Sequence, residues 1–123
     1  MKTNINEIEI NGAKYVKKGS EQVKSESVDG MEYVVIRSGQ AGVFAGYLKS
    51  KDRDEVTMVN TRRLWYWDGA SSLSQLAMEG VTKPENCKFS VVVNNQIVLG
   101  VCEILNTTEK AKTCIEEIES WKK

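Results

Sequence analysis

The sequence predicts an α+β fold: a strongly bent antiparallel sheet or small β-barrel, with a short internal helix and a C-terminal amphipathic helix. Two observations carry this prediction. Several short apolar runs are joined by connections too short for the crossover that parallel strands need, so neighbouring strands are expected to be antiparallel. Two other segments repeat their apolar residues at helical spacing, behind residues that cap helices.

The first 30 residues predict an N-terminal unit that consists of a β-hairpin and a polar arm. Asn11-Gly12 lies between two short alternating runs, and both residue types accept the positive φ of a tight hairpin turn. Residues 17–30 hold little apolar area, so we expect a linker, or an arm that becomes ordered only against a partner subunit. The main α+β domain is then expected over residues 31–123.

Four strands are predicted at the start of the main domain, in the segments MEYVVIRS, GVFAGYLKS, DEVTMVN and TRRLWYW. Their short connections indicate a meander. Further along, CKFSVVV and QIVLGVCEIL flank Asn94-Asn95, which predicts a second tight hairpin at that pair.

Two helices are predicted in the main domain. In SSLSQLAMEG, Ser72 and Gln75 have the spacing of a capping box, and Gly80 stands where a helix commonly ends. Asn106 and Glu109 suggest a second capping box before the last helix. The apolar stripe of that helix contains Ala111, Cys114, Ile115, Ile118 and Trp121. We expect this stripe to cover one face of the sheet.

Composition narrows the possible functions. The 17 Lys and Arg residues balance 17 Asp and Glu residues, so no overall positive field attracts nucleic acid or an anionic membrane. There is no histidine, which removes the usual acid–base group at neutral pH and the commonest zinc ligand. Because no nucleophile with its base and no metal-binding set is recognisable, we expect no enzyme activity, no cofactor and no metal site.

The cysteines and the apolar segments indicate a cytoplasmic protein. Cys87, Cys102 and Cys114 are odd in number and widely spaced, which fits neither a disulfide framework nor a metal knuckle. We therefore expect buried thiols in a reducing compartment. No segment has the apolar run of a signal peptide or a membrane span, so we expect no membrane association.

The candidate site lies in RRLWYWDGASSLSQLAMEG, residues 62–80. Strand alternation places Arg63, Trp65 and Trp67 on one face. A guanidinium beside aromatic rings is suited to nucleotides, because a ring stacks on the base while the guanidinium binds phosphate. The following helix N-terminus adds free N–H groups and serine hydroxyls. The predicted ligand-binding residues are Arg62, Arg63, Trp65, Tyr66, Trp67, Ser71, Ser72 and Gln75.

The same residues also fit a purely structural interpretation. Tryptophans commonly fill cores, arginine stems pack over aromatic rings, and a serine before a helix is usually a cap. A run of three aromatic residues in one strand cannot all face a single core, however, so part of that surface points outward or into a subunit interface. The sequence leaves open whether the cluster is a pocket, an interface or a core.

The segments AGVFAGYLKS, RRLWYWDGASSLSQLAMEG and CKFSVVV, with a final helix that ends near Trp121, resemble a small domain of unknown function from tailed phages and prophages. The resemblance covers residues 33–121. It implies a role in host takeover, and phages encode small non-catalytic homo-oligomeric proteins that sequester the cyclic nucleotide or cyclic ADP-ribose signals of bacterial immunity. By this analogy of role we expect an anti-defence sponge in the host cytoplasm that binds a nucleotide-derived signal and forms a homo-oligomer.

Two other functions are compatible with the sequence. The first is a homo-oligomeric interaction module whose aromatic and arginine residues bind a host protein, since these residue types dominate protein-binding hot spots. The second is a small barrel that binds single-stranded nucleic acid, which the zero net charge disfavours.

Overall fold

The computed structural model describes residues 7–10, 13–16 and 23–122. Near the N-terminus, β1 (Glu7–Ile10) and β2 (Ala13–Val16) pair antiparallel as a two-stranded sheet. This pairing agrees with the predicted hairpin, whose turn residues Asn11-Gly12 lie outside the described residues. The domain boundary at residue 30 stays a prediction.

Residues 23–26 contact the start of the last helix and the residues just before it. The backbone N–H of Ser25 donates to the Thr107 carbonyl at 3.0 Å, and the N–H of Glu26 donates to the Glu109 carboxylate at 2.9 Å. The hydroxyls of Ser25 and Thr107 are buried and lie 2.9 Å apart. These residues are hydrogen-bonded within their own chain, unlike a free linker, and ordering of the arm against a partner subunit stays a prediction.

The main sheet contains six antiparallel strands in the order β6-β5-β4-β3-β8, with β7 also paired to β5. They are β3 (Glu32–Ser38), β4 (Gly42–Asp52), β5 (Glu55–Tyr66), β6 (Lys88–Phe89), β7 (Val93–Val98) and β8 (Val101–Asn106). The predicted third and fourth strands form one continuous strand, β5. Because β4 occupies one side of β5, β6 and β7 lie one after the other along its opposite side.

The sheet is strongly bent and remains open. Only Leu99 and Gly100 connect β7 to β8, yet β7 pairs with β5 and β8 pairs with β3, at opposite ends of the strand order. The N–H of Val101 donates to the Asp54 carbonyl at 2.9 Å, which holds the start of β8 beside the turn between β4 and β5. The α+β prediction with a bent antiparallel sheet is confirmed, and the sheet does not close into a barrel.

The predicted hairpin at Asn94-Asn95 is wrong, because both residues lie inside β7. The chain reverses instead at Leu99-Gly100, where Gly100 adopts a φ of 70°. Glycine accepts this left-handed conformation without the steric cost that a side chain imposes.

A bulge interrupts the pairing of β4 with β5. Tyr47 lies opposite Val59 and Ala45 lies opposite Arg62, so β5 has one residue more than β4 between the two pairs. An extra residue reverses the alternation of side chains beyond it. Val59 and Arg62 consequently face the same side of the sheet, although they are three positions apart.

Two residues make this bulge possible. Asn60 adopts a φ of 49°, a left-handed conformation that asparagine tolerates better than most residues. Gly46 lies opposite the bulge, where a Cβ atom would be 2.7 Å from the Cα atom of Thr61. The bulge therefore requires the absence of a side chain at position 46.

The predicted caps of α1 (Leu73–Glu79) are confirmed. The Ser72 hydroxyl accepts a hydrogen bond from the Gln75 N–H at 3.1 Å, and Gly80 follows the helix with a φ of 77°. A short 3-10 turn at Pro84–Asn86 separates α1 from β6.

The final helix α2 (Glu109–Glu117) begins at a different cap from the one predicted. Thr108 is the N-cap, and its hydroxyl accepts from the Ala111 N–H at 3.1 Å. Asn106 instead is the last residue of β8. No helix among the described residues is both long and apolar enough to cross a membrane.

The two faces of the sheet carry separate cores. The helix-covered core packs both helices on one face, and its buried residues include Tyr33, Val35, Ala45, Tyr47, Leu64, Leu76, Ala77, Phe89, Ile115 and Ile118. The predicted apolar stripe is wrong for Trp121, which lies beyond α2 and is 47% exposed. The inner core lies on the other face and consists of Val34, Ile36, Phe44, Val56, Met58 and Val98. The bend of the sheet packs the inner core without a helix.

The cysteines are all free thiols. Cys87 is buried and Cys114 is partly buried, but Cys102 is exposed, so the expectation of buried thiols is wrong for Cys102. Burial raises the pKa of Cys87, which disfavours the reactive thiolate.

Candidate functional site

Arg63 and Trp65 lie side by side on the face of β5 that carries the inner core. The guanidinium carbon of Arg63 is 5.3 Å from the centre of the Trp65 ring and 4.7 Å from the centre of the Phe44 ring. These distances are typical of cation–π contacts. Phe44 is fully buried, whereas Trp65 is 59% exposed, so the guanidinium lies between a core ring and a solvent-facing ring. The alternation predicted from the sequence places this pair correctly.

Two adjoining hollows open beside Arg63. The inner hollow has a volume of about 280 Å³ and is lined by Gln40, Ala41, Phe44, Arg63, Gln96, Ile97, Val98 and Leu99. The Trp65 hollow has a volume of about 230 Å³ and is lined by Arg63, Trp65, Ser90, Val91, Val93 and Gln96. Arg63 and Gln96 line both hollows, and together these depressions approach the size range of small-molecule sites.

The Arg63 guanidinium makes no hydrogen bond or ion pair with any other residue in the part of the chain that the structure describes. Its backbone is held firmly, because the Arg63 N–H donates to the Ser90 hydroxyl at 2.8 Å and the Ser90 N–H donates to the Arg63 carbonyl at 2.9 Å. The side chain is partly buried. A guanidinium has five N–H donors, and no described residue accepts a hydrogen bond from those of Arg63.

Among the described residues, no acidic side chain lines the hollows beside Arg63. No charged side chain occurs from Phe89 to Cys102, the segment that contains β7 and forms one side of both hollows. Arg63 is the one charged residue among those that line either hollow. The site therefore favours an anion, and its polar amides at Gln40 and Gln96 can donate or accept further hydrogen bonds.

Arg62 lies on the opposite, helix-covered face of the sheet and has a structural role. It is only 2% exposed, and its Nε donates to the Ser90 carbonyl at 2.9 Å. Its Nη1 donates to the carbonyls of Ile115 and Ile118 at 2.9 and 2.8 Å, at the end of α2. Burial lowers the pKa of Arg62, but an arginine remains charged at neutral pH. The structure does not bring the two predicted phosphate-binding arginines together.

Tyr66 is the neighbour of Trp65 but belongs to a different surface. It is 52% exposed and lies opposite Lys88 in the pairing of β5 with β6. The Lys88 ammonium is 5.3 Å from the centre of the Trp121 ring. These three residues form what we name the Tyr66–Trp121 patch.

Trp67 does not continue the alternation of Arg63 and Trp65. The strand ends at Tyr66, and Trp67 packs against the helix-covered core. Its indole is therefore not available beside Arg63. The strand ends one residue before Trp67, and the bend at Asp68-Gly69 follows directly after it.

Ser71, Ser72 and Gln75 satisfy one another at the start of α1. The Gln75 side-chain oxygen accepts from both the N–H and the hydroxyl of Ser71 at 2.8 Å. The Ser72 hydroxyl accepts from the Gln75 N–H. None of the three lines either hollow. They act as a helix cap, as the structural interpretation of the sequence anticipated.

Of the residues that line the hollows, sequence reasoning named only Arg63 and Trp65. Those that it missed include the polar and aromatic residues Gln40, Phe44, Ser90 and Gln96. Gln96 shares the inner-core face with Arg63 because β7 pairs with β5 in a register that puts Gln96 opposite Met58 of that core. Strand partners so far apart in the chain leave no local signal. Alternation with the buried Val98 was the one available hint that Gln96 faces inward.

The described residues contain no group of three or more Cys, Asp or Glu side chains that could hold a metal ion. A family described as a domain of unknown function (DUF6948) matches residues 31–115. No curated protein and no solved structure matches the chain.

Proposed function

This chain belongs to the DUF6948 family of domains of unknown function, which assigns no activity, and we propose that it is a non-catalytic protein that binds a nucleotide-derived anion at Arg63 and Trp65. The proposal keeps part of the site predicted from the sequence. Arg62, Trp67 and the α1 cap are left out of it, since their groups are engaged in the fold.

One observation carries the proposal: the partly buried Arg63 guanidinium lacks a polar partner among the described residues and lies against the exposed Trp65 ring. Phosphate oxygens match the paired N–H groups of a guanidinium, and their hydrogen bonds are strengthened by charge. The indole offers a flat apolar surface on which a purine or pyrimidine can stack. A phosphate and a base that lie close together in one ligand satisfy both groups.

The two glutamines add possible recognition of the base. Gln40 and Gln96 each carry an amide that both donates and accepts, which suits the polar edge of a nucleobase. The rest of the hollow is largely apolar, with Phe44, Ile97 and Leu99 among its lining residues. A few polar groups in an apolar hollow are the usual composition of a small-molecule site.

We further propose that the ligand is an immune signal of the cyclic oligonucleotide or cyclic ADP-ribose type, which the protein sequesters in the host cytoplasm. Two points support this role. The motifs around Arg63 resemble those of a small phage and prophage domain, and sequestration needs binding without any reacting group. Removal of the free signal would then block host defence.

Titration calorimetry against cyclic di- and trinucleotides and cyclic ADP-ribose isomers tests the proposed function. Adenosine and inorganic phosphate serve as controls, because each offers only one half of the ligand. We expect one member of the panel to bind more tightly than either control. No heat from any member at protein concentrations of about 100 μM, which covers most specific affinities, would contradict the proposal.

A second candidate function is binding to a host protein through the Tyr66–Trp121 patch. Tyr66 and Trp121 are 52% and 47% exposed, and the Lys88 ammonium lies over the Trp121 ring. Exposed aromatic residues are enriched at protein interfaces. A host protein whose capture is abolished by Trp121→Ala and kept by Trp65→Ala would favour this candidate over the nucleotide site.

A further inference from the structure

Among the described residues, the outer edge of β7 has no paired strand. This strand pairs with β5 on one side, and no residue in the described ranges pairs with it on the other. Two of its apolar side chains point to solvent, with Val93 38% and Ile97 59% exposed. Natural edge strands usually carry a charged residue, most often lysine, or a proline, and either one prevents pairing with a second chain. The segment from Phe89 to Cys102 has none of these.

The sequence of this edge is symmetric about Asn95. Val93 and Ile97 stand two positions before and after it in β7, and Val91 and Leu99 stand four positions before and after it in the sequence. All four flanking residues are apolar and exposed. Residues at these spacings share one face of a strand.

An antiparallel pair of identical strands centred on Asn95 uses this symmetry. In such a pair, Val93 would lie opposite Ile97 of the partner subunit, and Asn95 would lie opposite its own counterpart. Apolar side chains therefore meet apolar side chains on both sides of a central amide pair, and such cross-strand pairs stabilise sheets. The same patch on both subunits is the requirement for a two-fold interface.

We propose that two copies of this chain associate through their β7 strands, antiparallel and centred on Asn95, so that two six-stranded sheets become one continuous sheet. A second copy fits this edge because the pattern of apolar residues is complementary to itself. Pairing with an unrelated strand would not require a symmetric pattern. The proposal rests on β7 and does not depend on the proposed ligand. It places the partner subunit beside Val91 and Val93, which line the Trp65 hollow.

Light scattering combined with size exclusion gives the first test. We expect the full chain to have the mass of a dimer, and Ile97→Lys to raise the dimer dissociation constant at least tenfold, because it puts a charge on the open edge. Ile97 is largely exposed, so this variant should keep the fold. Val28→Lys is the matched control, since Val28 is 43% exposed outside β7. A monomeric wild type, or a dimer that Ile97→Lys does not weaken, overturns the proposal.

Cysteine cross-linking tests the register in the same protein. In a Cys102→Ser background, which removes the exposed thiol, Asn95→Cys should form an intersubunit disulfide under mild oxidation because the two residues face each other. Asn94→Cys is the control, since its two copies are separated by two positions along the strand and exceed the roughly 7 Å Cα separation that a disulfide spans. Equal cross-linking of the two variants, or none at position 95, contradicts the register.

Discussion

The guanidinium of Arg62 donates a hydrogen bond to the Ile118 carbonyl at 2.8 Å and thereby joins the central strand β5 to the end of α2. The last carbonyls of a helix have no partner within the helix, and they attract positive charge. From the sheet, Arg62 supplies both a hydrogen-bond donor and a positive charge to the carbonyls at the end of α2. A side chain that resembles a phosphate ligand in the sequence is thus a structural bond between strand and helix.

Arg62→Met should destabilise the protein by about 3 kcal/mol, because it leaves buried carbonyls without donors. Urea unfolding followed by tryptophan fluorescence measures the change. Arg37→Met is the matched control, since Arg37 forms an exposed ion pair with Glu103 at 3.0 Å and should leave the unfolding midpoint nearly unchanged. Similar midpoints for the two variants would show that the bonds from Arg62 do not hold α2.

Gly46→Ala should destabilise the protein by roughly 1–3 kcal/mol, the usual cost of overpacking. The added Cβ atom would lie 2.7 Å from the Thr61 Cα atom in the bulge of β5. Gly39→Ala is the control, because a Cβ atom there meets nothing within 4 Å. Equal stability of the two variants in urea would mean that the bulge tolerates a side chain at position 46.

The free energy of unfolding should decrease at alkaline pH because the protein buries the protonated side chain of Tyr33. Burial raises the pKa of Tyr33 well above its ordinary value, with a further increase from Glu116 and an opposing effect of Arg62. An unfolded tyrosine ionises near pH 10, so its contribution to stability is complete below about pH 10 and declines at higher pH, because only the unfolded state loses the proton. Unfolding free energies of Tyr33→Phe should fall less steeply than those of the wild type between about pH 9.5 and 11.5.

The exposed phenol of Tyr66 provides the control for that measurement. Tyr66→Phe removes a half-exposed hydroxyl and should keep the wild-type slope. If Tyr33→Phe also keeps that slope, burial of Tyr33 does not govern the alkaline behaviour.

Local sequence patterns predicted the features that depend on neighbouring residues. The α1 cap at Ser72 and its end at Gly80 were predictable because capping involves residues three or four positions apart. The same holds for Arg63 beside Trp65, which follows from strand alternation alone. Both are properties of short continuous segments.

Pairing between strands that are distant in the sequence determined the features that local patterns could not predict. Alternation separates Arg62 from Arg63, but the bulge at Asn60 determines which of them enters the helix-covered core. The pairing of β7 with β5, which brings Gln96 to Arg63, joins segments separated by two helical elements and a strand. The chain turns at Gly100 and not at Asn94-Asn95 because the asparagines lie within β7, where Asn95 pairs with Val59 of β5.

Trp65→Ala should weaken ligand binding about tenfold or more, since stacking on an aromatic side chain contributes about 1–3 kcal/mol per base. Trp121→Ala is a matched control, because the two indoles are similarly exposed, at 59% and 47%, on different surfaces. Titration calorimetry of both variants with the same cyclic nucleotide separates them. Equal loss of affinity would place the bound base away from the Trp65 hollow.

The most direct test of the nucleotide site is a calorimetric titration of the wild type and Arg63→Gln with the cyclic oligonucleotide and cyclic ADP-ribose panel. Arg37→Gln controls for the loss of one positive charge, because Arg37 is exposed and paired with Glu103. We predict that a panel member binds the wild type and Arg37→Gln equally, and binds Arg63→Gln at least tenfold more weakly. Unchanged affinity of Arg63→Gln, or no binding by the wild type, would contradict the central claim that Arg63 and Trp65 form an anion-binding site.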